Sequence, residues 1–395
     1  MMNFIFVSPQ FPDNFWHFCD RLKKRGANVL GIGDCPYENL SEQLKNSLTE
    51  YYRVNSLENM DEKIQAVGYF TWRYGKIDWL ESNNEYWLES DAYLRTQFNI
   101  TTGMQTSHIH DFKAKSAMKA FYEKAGIPTA RYYIIEDEQG AYEFTHKVGY
   151  PVIVKPDIGV GASATYRLNN DEQLASFLAT RQPVTYIMEE FVNGTIESYD
   201  GIVDLNNEVV FETSHIFPDP IMNVVNEKKD LAYYSQKDIP FDLLDAGHRT
   251  LKAFDVRGRC FHFEFFRLKE DKDGLGKKGD IVGLEVNMRT PGGYTPDMMN
   301  FANDCDVYDF YALMAVEGHP QRPYVERKYL CAYASRRDEH VYKHSHEEIL
   351  NRFGKCLKMQ GRMPHILADA MGDSFYIARF DDVNQVNDFI TFVQV

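Results

Sequence analysis

A chain of 395 residues, 44% hydrophobic and 26% charged, is too long for a single core and implies two or three domains. Its net charge of −15 argues against a nucleic-acid or anionic-membrane partner, because the basic runs at 21–25 and 228–229 are short and flanked by acids. Six cysteines without a Cys-x-x-Cys pair, no run of eighteen apolar residues and a first apolar run too short for a signal peptide imply a cytoplasmic protein with reduced thiols.

Residues 3–7 form a continuous apolar run typical of a buried parallel strand. Helical spacing over 15–25, stopping at Gly26, and an apolar run over 27–33 complete a βαβ unit. Gly31-x-Gly33 is half of a dinucleotide fingerprint, but Pro36 follows and no helix starts, so it is taken as a strand end. Residues 57–74 should be a helix and 76–80 a strand, and the aromatic stripe over 84–98 has the spacing of a helix core face. An amphipathic helix is expected over 111–125, closed by Gly126-Ile127-Pro128. Strands at 130–136, 150–156 and 185–192 alternate with helices at 140–148 and 170–180; a hairpin follows over 197–204 and 208–214. Residues 216–240, broken by Pro218 and Pro220, have the composition of a long loop, and 241–254 that of a helix. Beyond two strands at 261–266 and 283–289, one long helix is expected over 296–317. The last 75 residues alternate short strands with a single helix over 345–353.

The chemistry concentrates on the strand pair. Alternation puts Glu285, Asn287 and Arg289 on one face, opposite Val286 and Met288; it puts Glu264 beside His262, opposite Phe261, Phe263 and Phe265. Paired as a hairpin, these strands gather two carboxylates, an amide oxygen and a guanidinium, a set that suits Mg²⁺ with phosphate and water as further ligands. A half-buried hairpin with its polar face in water has the same pattern. Upstream stand a helix carrying Lys115, with Lys113 as its competitor, and Lys155, a lysine ending an apolar strand and therefore needing a partner. His340, His344 and His346 have no common metal spacing and suit a solvated loop; no Gly-x4-Gly-Lys-Ser/Thr loop occurs.

The order of these segments, Gly126-Ile127-Pro128, Lys155-Pro156-x-x-Gly159-x-Gly161-x-Ser163, Glu189-Glu190-Phe191-Val192-x-Gly194 and Glu264…Glu285-x-Asn287-x-Arg289, resembles the ATP-grasp superfamily over about residues 1–320. The single chain with its C-terminal extension is most similar to carboxylate–amine ligases of the amino-acid or dipeptide-forming kind. The resemblance implies an α/β fold: an N-terminal α/β pre-grasp domain over 1–108, an ATP-grasp core of two α+β subdomains clasping nucleotide over 109–320, with a lid-like part over about 130–190, and a small α+β extension over 321–395. By the same resemblance Lys115 and Lys155 would contact the α and β phosphates. Gly159, Gly161 and Ser163 would close over the β and γ phosphates, backbone groups of Glu189, Glu190 and Val192 would meet adenine, and Glu197 the ribose. Glu264, Glu285 and Asn287 would hold one or two Mg²⁺, with Mn²⁺ as a substitute, and Arg289 would be the catalytic residue over the transferred phosphoryl. The family usually has Asp where Ala114 stands.

The implied reaction joins a carboxylate to an amine through an acyl phosphate, releasing ADP and phosphate, with amino acids as the expected substrates. A biotin carboxylase-like or purine-pathway ligase is the alternative within the fold; Thr290-Pro291-Gly292-Gly293 after Arg289 departs from the former group. A nucleotide-binding module without catalysis is the alternative outside enzymes. The 216–240 segment and the last 75 residues are expected to shape the substrate pocket, with His215, Asn223 and Arg257 as candidates, and a homodimer is expected from the family.

Overall fold

The computed structural model describes residues 1–159, 164–219 and 221–395, apart from the side chains of Ile221 and Asn223. Gly161, Ser163 and the Asn223 side chain thus lie outside the described residues.

Four parallel strands, in the order Glu50–Arg53, Asn28–Gly33, Asn3–Val7 and Trp79–Glu81, form the first sheet. After Asn3 this strand is apolar through Val7 because both its faces are covered. Phe4 and Phe6 pack with Phe15, Phe18 and Tyr311; Ile5 and Val7 pack with Val67 and Phe70 on the other side. A Cβ on Gly33 would stand 2.5 Å from the Tyr51 hydroxyl, so the Gly31-x-Gly33 pair answers to strand packing.

A second sheet of eight antiparallel strands runs Ile281–Asn287, Arg259–Leu268, Gly194–Val203, Val209–Phe217, Ala232–Ser235, Leu330–Arg336, Ser374–Phe380, Leu357–Arg362. The third sheet, in the order Tyr132–Ile134, Tyr186–Glu190, Val152–Pro156, Tyr166–Leu168, is small and antiparallel. Ala141 and Phe144 of one helix and Leu174 and Phe177 of another cover it. No helix among the described residues is long and apolar enough to cross a membrane, and all six cysteines are free.

Four expectations are corrected. Residues 216–240 are not one loop: they contain the helix Ile221–Asn226 and the strand Ala232–Ser235, which bridges the two halves of the large sheet. The helix expected over 296–317 is two, Thr295–Asn303 and Val307–Glu317. Asp304 adopts a left-handed φ of 47°, and the Asp306 side chain caps the second helix by accepting the Asp309 N–H. The helix expected over 111–125 is a 3-10 turn, Ile109–Phe112, followed by Lys115–Lys124. The C-terminal region has three helices, His346–Phe353, His365–Met371 and Val383–Gln394.

The Lys115–Lys124 helix lies against the edge strand through Tyr122 and Gly283. A Cβ on Gly283 would stand 2.7 Å from the Tyr122 ring, which is fully buried. Gly283→Ala should lower stability by about 1–3 kcal/mol, as overpacking does, visible as a lower midpoint in urea with an unchanged slope.

Candidate nucleotide and metal site

The large and small sheets face each other across a cavity of about 360 Å³. Its walls hold Lys115, Lys119, Lys155, Gly159, Glu189, Glu190, Val192, Glu264, Glu285, Asn287 and Arg289.

On the Lys115–Lys124 helix, Lys115 and Lys119 are four apart and share the face toward the cavity. Ala114, the residue before the helix, has no side chain to cap it. The cap comes from Asp157, just beyond the Lys155 strand: its carboxylate accepts the Ser116 N–H at 2.8 Å and the Ser116 hydroxyl at 2.7 Å, and its carbonyl accepts the Lys115 N–H at 3.0 Å. Lys113 does not line the cavity. Its ammonium is buried against Glu85, 3.1 Å from the carboxylate and 3.0 Å from the carbonyl.

Lys155 has its partner. Its Nζ lies 2.7 Å from Glu189 Oε2, and Lys119 binds the other oxygen of the same carboxylate. Burial would raise the Glu189 pKa, but Lys119 and then Lys155 outweigh it and hold the group down at about 2. Burial lowers the Lys119 pKa; Lys155 is raised despite burial, because Glu189 and Glu285 act on it. The Glu190 carboxylate is taken up by Arg131, which donates to it from Nε at 3.0 Å and Nη2 at 2.5 Å.

The hairpin forms with Glu264 directly opposite Glu285 and His262 opposite Asn287. Phe261, Phe263 and Phe265 are fully buried on the far side with Val286 and Met288. Glu285 lies 3.5 Å from Lys115 Nζ. Arg289 donates to the Thr290 carbonyl at 2.7 Å and to Asn287 Oδ1 at 3.4 Å, and its Nε stands 3.5 Å from Glu85 of the first sheet's following turn. Burial would lower the His262 pKa, but Asp200 and Glu264 raise it to about 9. Among the described residues no group of three or more His, Cys, Asp or Glu forms a metal cage. Two carboxylates and an amide oxygen instead suit a cation that takes its other ligands from phosphate and water.

Glu197 does not reach the cavity. Ile196 takes the cavity side of that strand, so Glu197 points to the opposite face, where Arg267 donates to it at 2.6 and 3.0 Å. His215 is wholly buried and does not line the cavity, and Arg257 is bound at the surface to Asp255 and the Leu205 carbonyl. His340, His344 and His346 have separate partners: Asp230, the Phe392 ring and the Tyr376 hydroxyl. Sequence reasoning missed Lys119, Asp157 and Glu85. The four-residue step from Lys115 could have disclosed Lys119; nothing local marks the other two.

The family model described as carbamoyl-phosphate synthase L chain, ATP binding domain, matches residues 113–199. The chain also superposes on an L-amino acid ligase of Bacillus licheniformis with a TM-score of 0.72 at 13% identity, covering 100% of this chain and 97% of that one. The chain has the ATP-grasp fold. A second ATP-grasp neighbour is the biotin carboxylase domain of the Hydrogenobacter thermophilus 2-oxoglutarate carboxylase, in complex with MgADP, ADP and bicarbonate: TM-score 0.69, 14% identity, covering 100% of this chain and 89% of that one. In sequence, the L-arginine-specific L-amino acid ligase of Bacillus subtilis is 23% identical over 237 residues, 56% of this chain. The match takes in 53% of that relative, so the chain spans about half the length of the curated relative it matches.

Glu189 contributes stability that is fully present above its unfolded pKa of about 4.5 and is lost as the pH falls toward about 2. Glu189→Gln should therefore flatten the loss of stability across that window in acid unfolding followed by circular dichroism. At neutral pH the variant should be less stable by about 3–5 kcal/mol, because it leaves two buried ammoniums without their carboxylate.

Proposed function

We propose that this chain is an ATP-dependent carboxylate–amine ligase acting on amino acids, making an amide or peptide bond through an acyl phosphate. The observation that carries the reading is the convergence of Lys115, Lys119 and Lys155 with Glu264, Glu285, Asn287 and Arg289 on one cavity. The relative and the structural neighbour named as L-amino acid ligases support it.

In this reading a substrate carboxylate oxygen attacks the γ phosphorus of ATP, and the bond to the ADP oxygen breaks. The amine nitrogen then attacks the acyl carbon, and phosphate leaves. Lys115 and Lys155 neutralise the phosphates that burial would otherwise penalise. Glu264, Glu285 and Asn287 would hold one or two Mg²⁺, for which Mn²⁺ would substitute, and the bound cation would supply charge neutralisation to the phosphates. Arg289, steadied by Thr290 and Asn287, meets the charge on the transferred phosphoryl. No side-chain nucleophile takes part, because the reaction needs positioning and charge neutralisation. Gly159 contributes its backbone beside the phosphates; Gly161 and Ser163 complete that loop in the family pattern.

A screen of amino-acid pairs for ADP and phosphate release tests the reading. A pair should stimulate turnover well above ATP alone, and Arg289→Ala should then cost roughly 10²–10³-fold in kcat with nucleotide binding retained. Bicarbonate-dependent turnover without an amine would point to a carboxylase-type relative instead. If no carboxylate and amine pair stimulates ADP release, the ligase assignment fails.

A further inference from the structure

Alongside Glu264, on the same face of the large sheet, runs a line of polar side chains that do not line the cavity and that the reaction described above does not use. Ser198 and Asp200 project from the same face of the strand Gly194–Val203; Asp200 pairs with His262 in register on one side, and Ser198 with His215 on the other. Asp200 is completely buried, a costly place for a carboxylate unless it is fully bonded. It is bonded threefold. His215 Nδ1 lies 2.7 Å from its Oδ2, His262 Nδ1 2.5 Å from its Oδ1, and the Ser198 hydroxyl donates to it at 2.5 Å. That hydroxyl is itself fixed by accepting the His215 N–H at 3.2 Å.

The line ends at the metal carboxylates. His262 Nε2 stands 3.1 Å from Glu264 Oε1, so both ring nitrogens face carboxylate oxygens and both donate. Glu264 lies directly across from Glu285, an arrangement of like charges that is unfavourable unless each is compensated. Lys115 compensates Glu285 at 3.5 Å. His262 does the same for Glu264, from two residues back on the same face of its strand.

We propose that Asp200 and His262 are positioning residues of the metal site: Asp200 fixes the His262 ring, and the ring's other nitrogen holds Glu264 in the orientation that receives the cation. The proposal rests on the reading of Glu264 as a metal ligand. It assigns this buried pair a role in affinity for the cation, beyond its role in the core.

Mn²⁺ serves as the probe, with the full-length chain and ADP present, free Mn²⁺ being read by electron paramagnetic resonance. ADP affinity in EDTA and the melting temperature are measured alongside. Asp200→Asn and His262→Asn should each weaken Mn²⁺ binding by about 10–100-fold, the usual effect of removing a group that orients a ligand, with ADP affinity in EDTA unchanged. The Asn amide at 262 stands where Nδ1 stood and keeps Asp200 but cannot reach Glu264. His262→Gln places an amide where Nε2 stood and should recover most of the affinity. Wild-type Mn²⁺ affinity in His262→Asn overturns the proposal. So does equal loss in His262→Asn and His262→Gln, which would leave residue 262 a core residue only. Should Asp200→Asn fail to fold, the pair of variants at 262 decides alone. Glu264→Gln separates the two claims: if it retains wild-type Mn²⁺ affinity, the metal reading itself fails, whatever the outcome at 200 and 262.

Discussion

Glu189 sits between Lys119 and Lys155 in the wall of the cavity, and the approach of these two lysines depends on it. Ammonium groups drawn together from a helix and a strand would repel one another in a low-dielectric cleft. One carboxylate shared by two of them removes that conflict and fixes the distance between the helix and the small sheet. Lys115 is satisfied separately, by Glu285 and by the Gly159 carbonyl at 3.5 Å. The cleft is therefore built of paired charges, and an anionic ligand with its cation would exchange partners among groups already in place.

The first sheet takes part in this order. Arg259, buried at the start of the hairpin's first strand, donates to Glu81 at 2.6 Å and to the Met288 carbonyl at 2.8 Å. Glu81 also neighbours Arg95, itself buried and donating to the Leu80 carbonyl at 2.8 Å and the Met104 carbonyl at 2.7 Å. A few residues on, Glu85 meets both Lys113 and Arg289. The guanidinium at the end of the acid hairpin is thus held from two directions, by its own strand and by the turn after the first sheet.

Much of this was legible because alternation in a strand is strict. The faces of 261–266 and 283–289 follow from a period of two, and their pairing needs only the hairpin. The same strictness explains the error at Glu197. An uncertainty of one residue along a strand is a change of face, and the cavity side belongs to Ile196. The break at Asp304 was hidden because an apolar pattern runs through both helices, while the left-handed residue between them is an ordinary polar one. The strand Ala232–Ser235 was hidden because it is short and one of its neighbours, Leu330–Arg336, is remote in sequence. Glu85, Asp157 and Asp200 act through contacts that spacing along the chain does not encode.

The cap at Ser116 has a mechanical side. A helix that carries its own capping residue can shift without regard to its neighbours, but this one borrows Asp157 from the segment that follows the Lys155 strand. Lys115 and Lys155 are thereby joined through a single linkage, which ties the start of a helix packed on the large sheet to the small sheet. Any motion of the small sheet across the cleft therefore pulls on the bonds at Asp157, because the buried Tyr122 ring holds the helix against Gly283 of the large sheet.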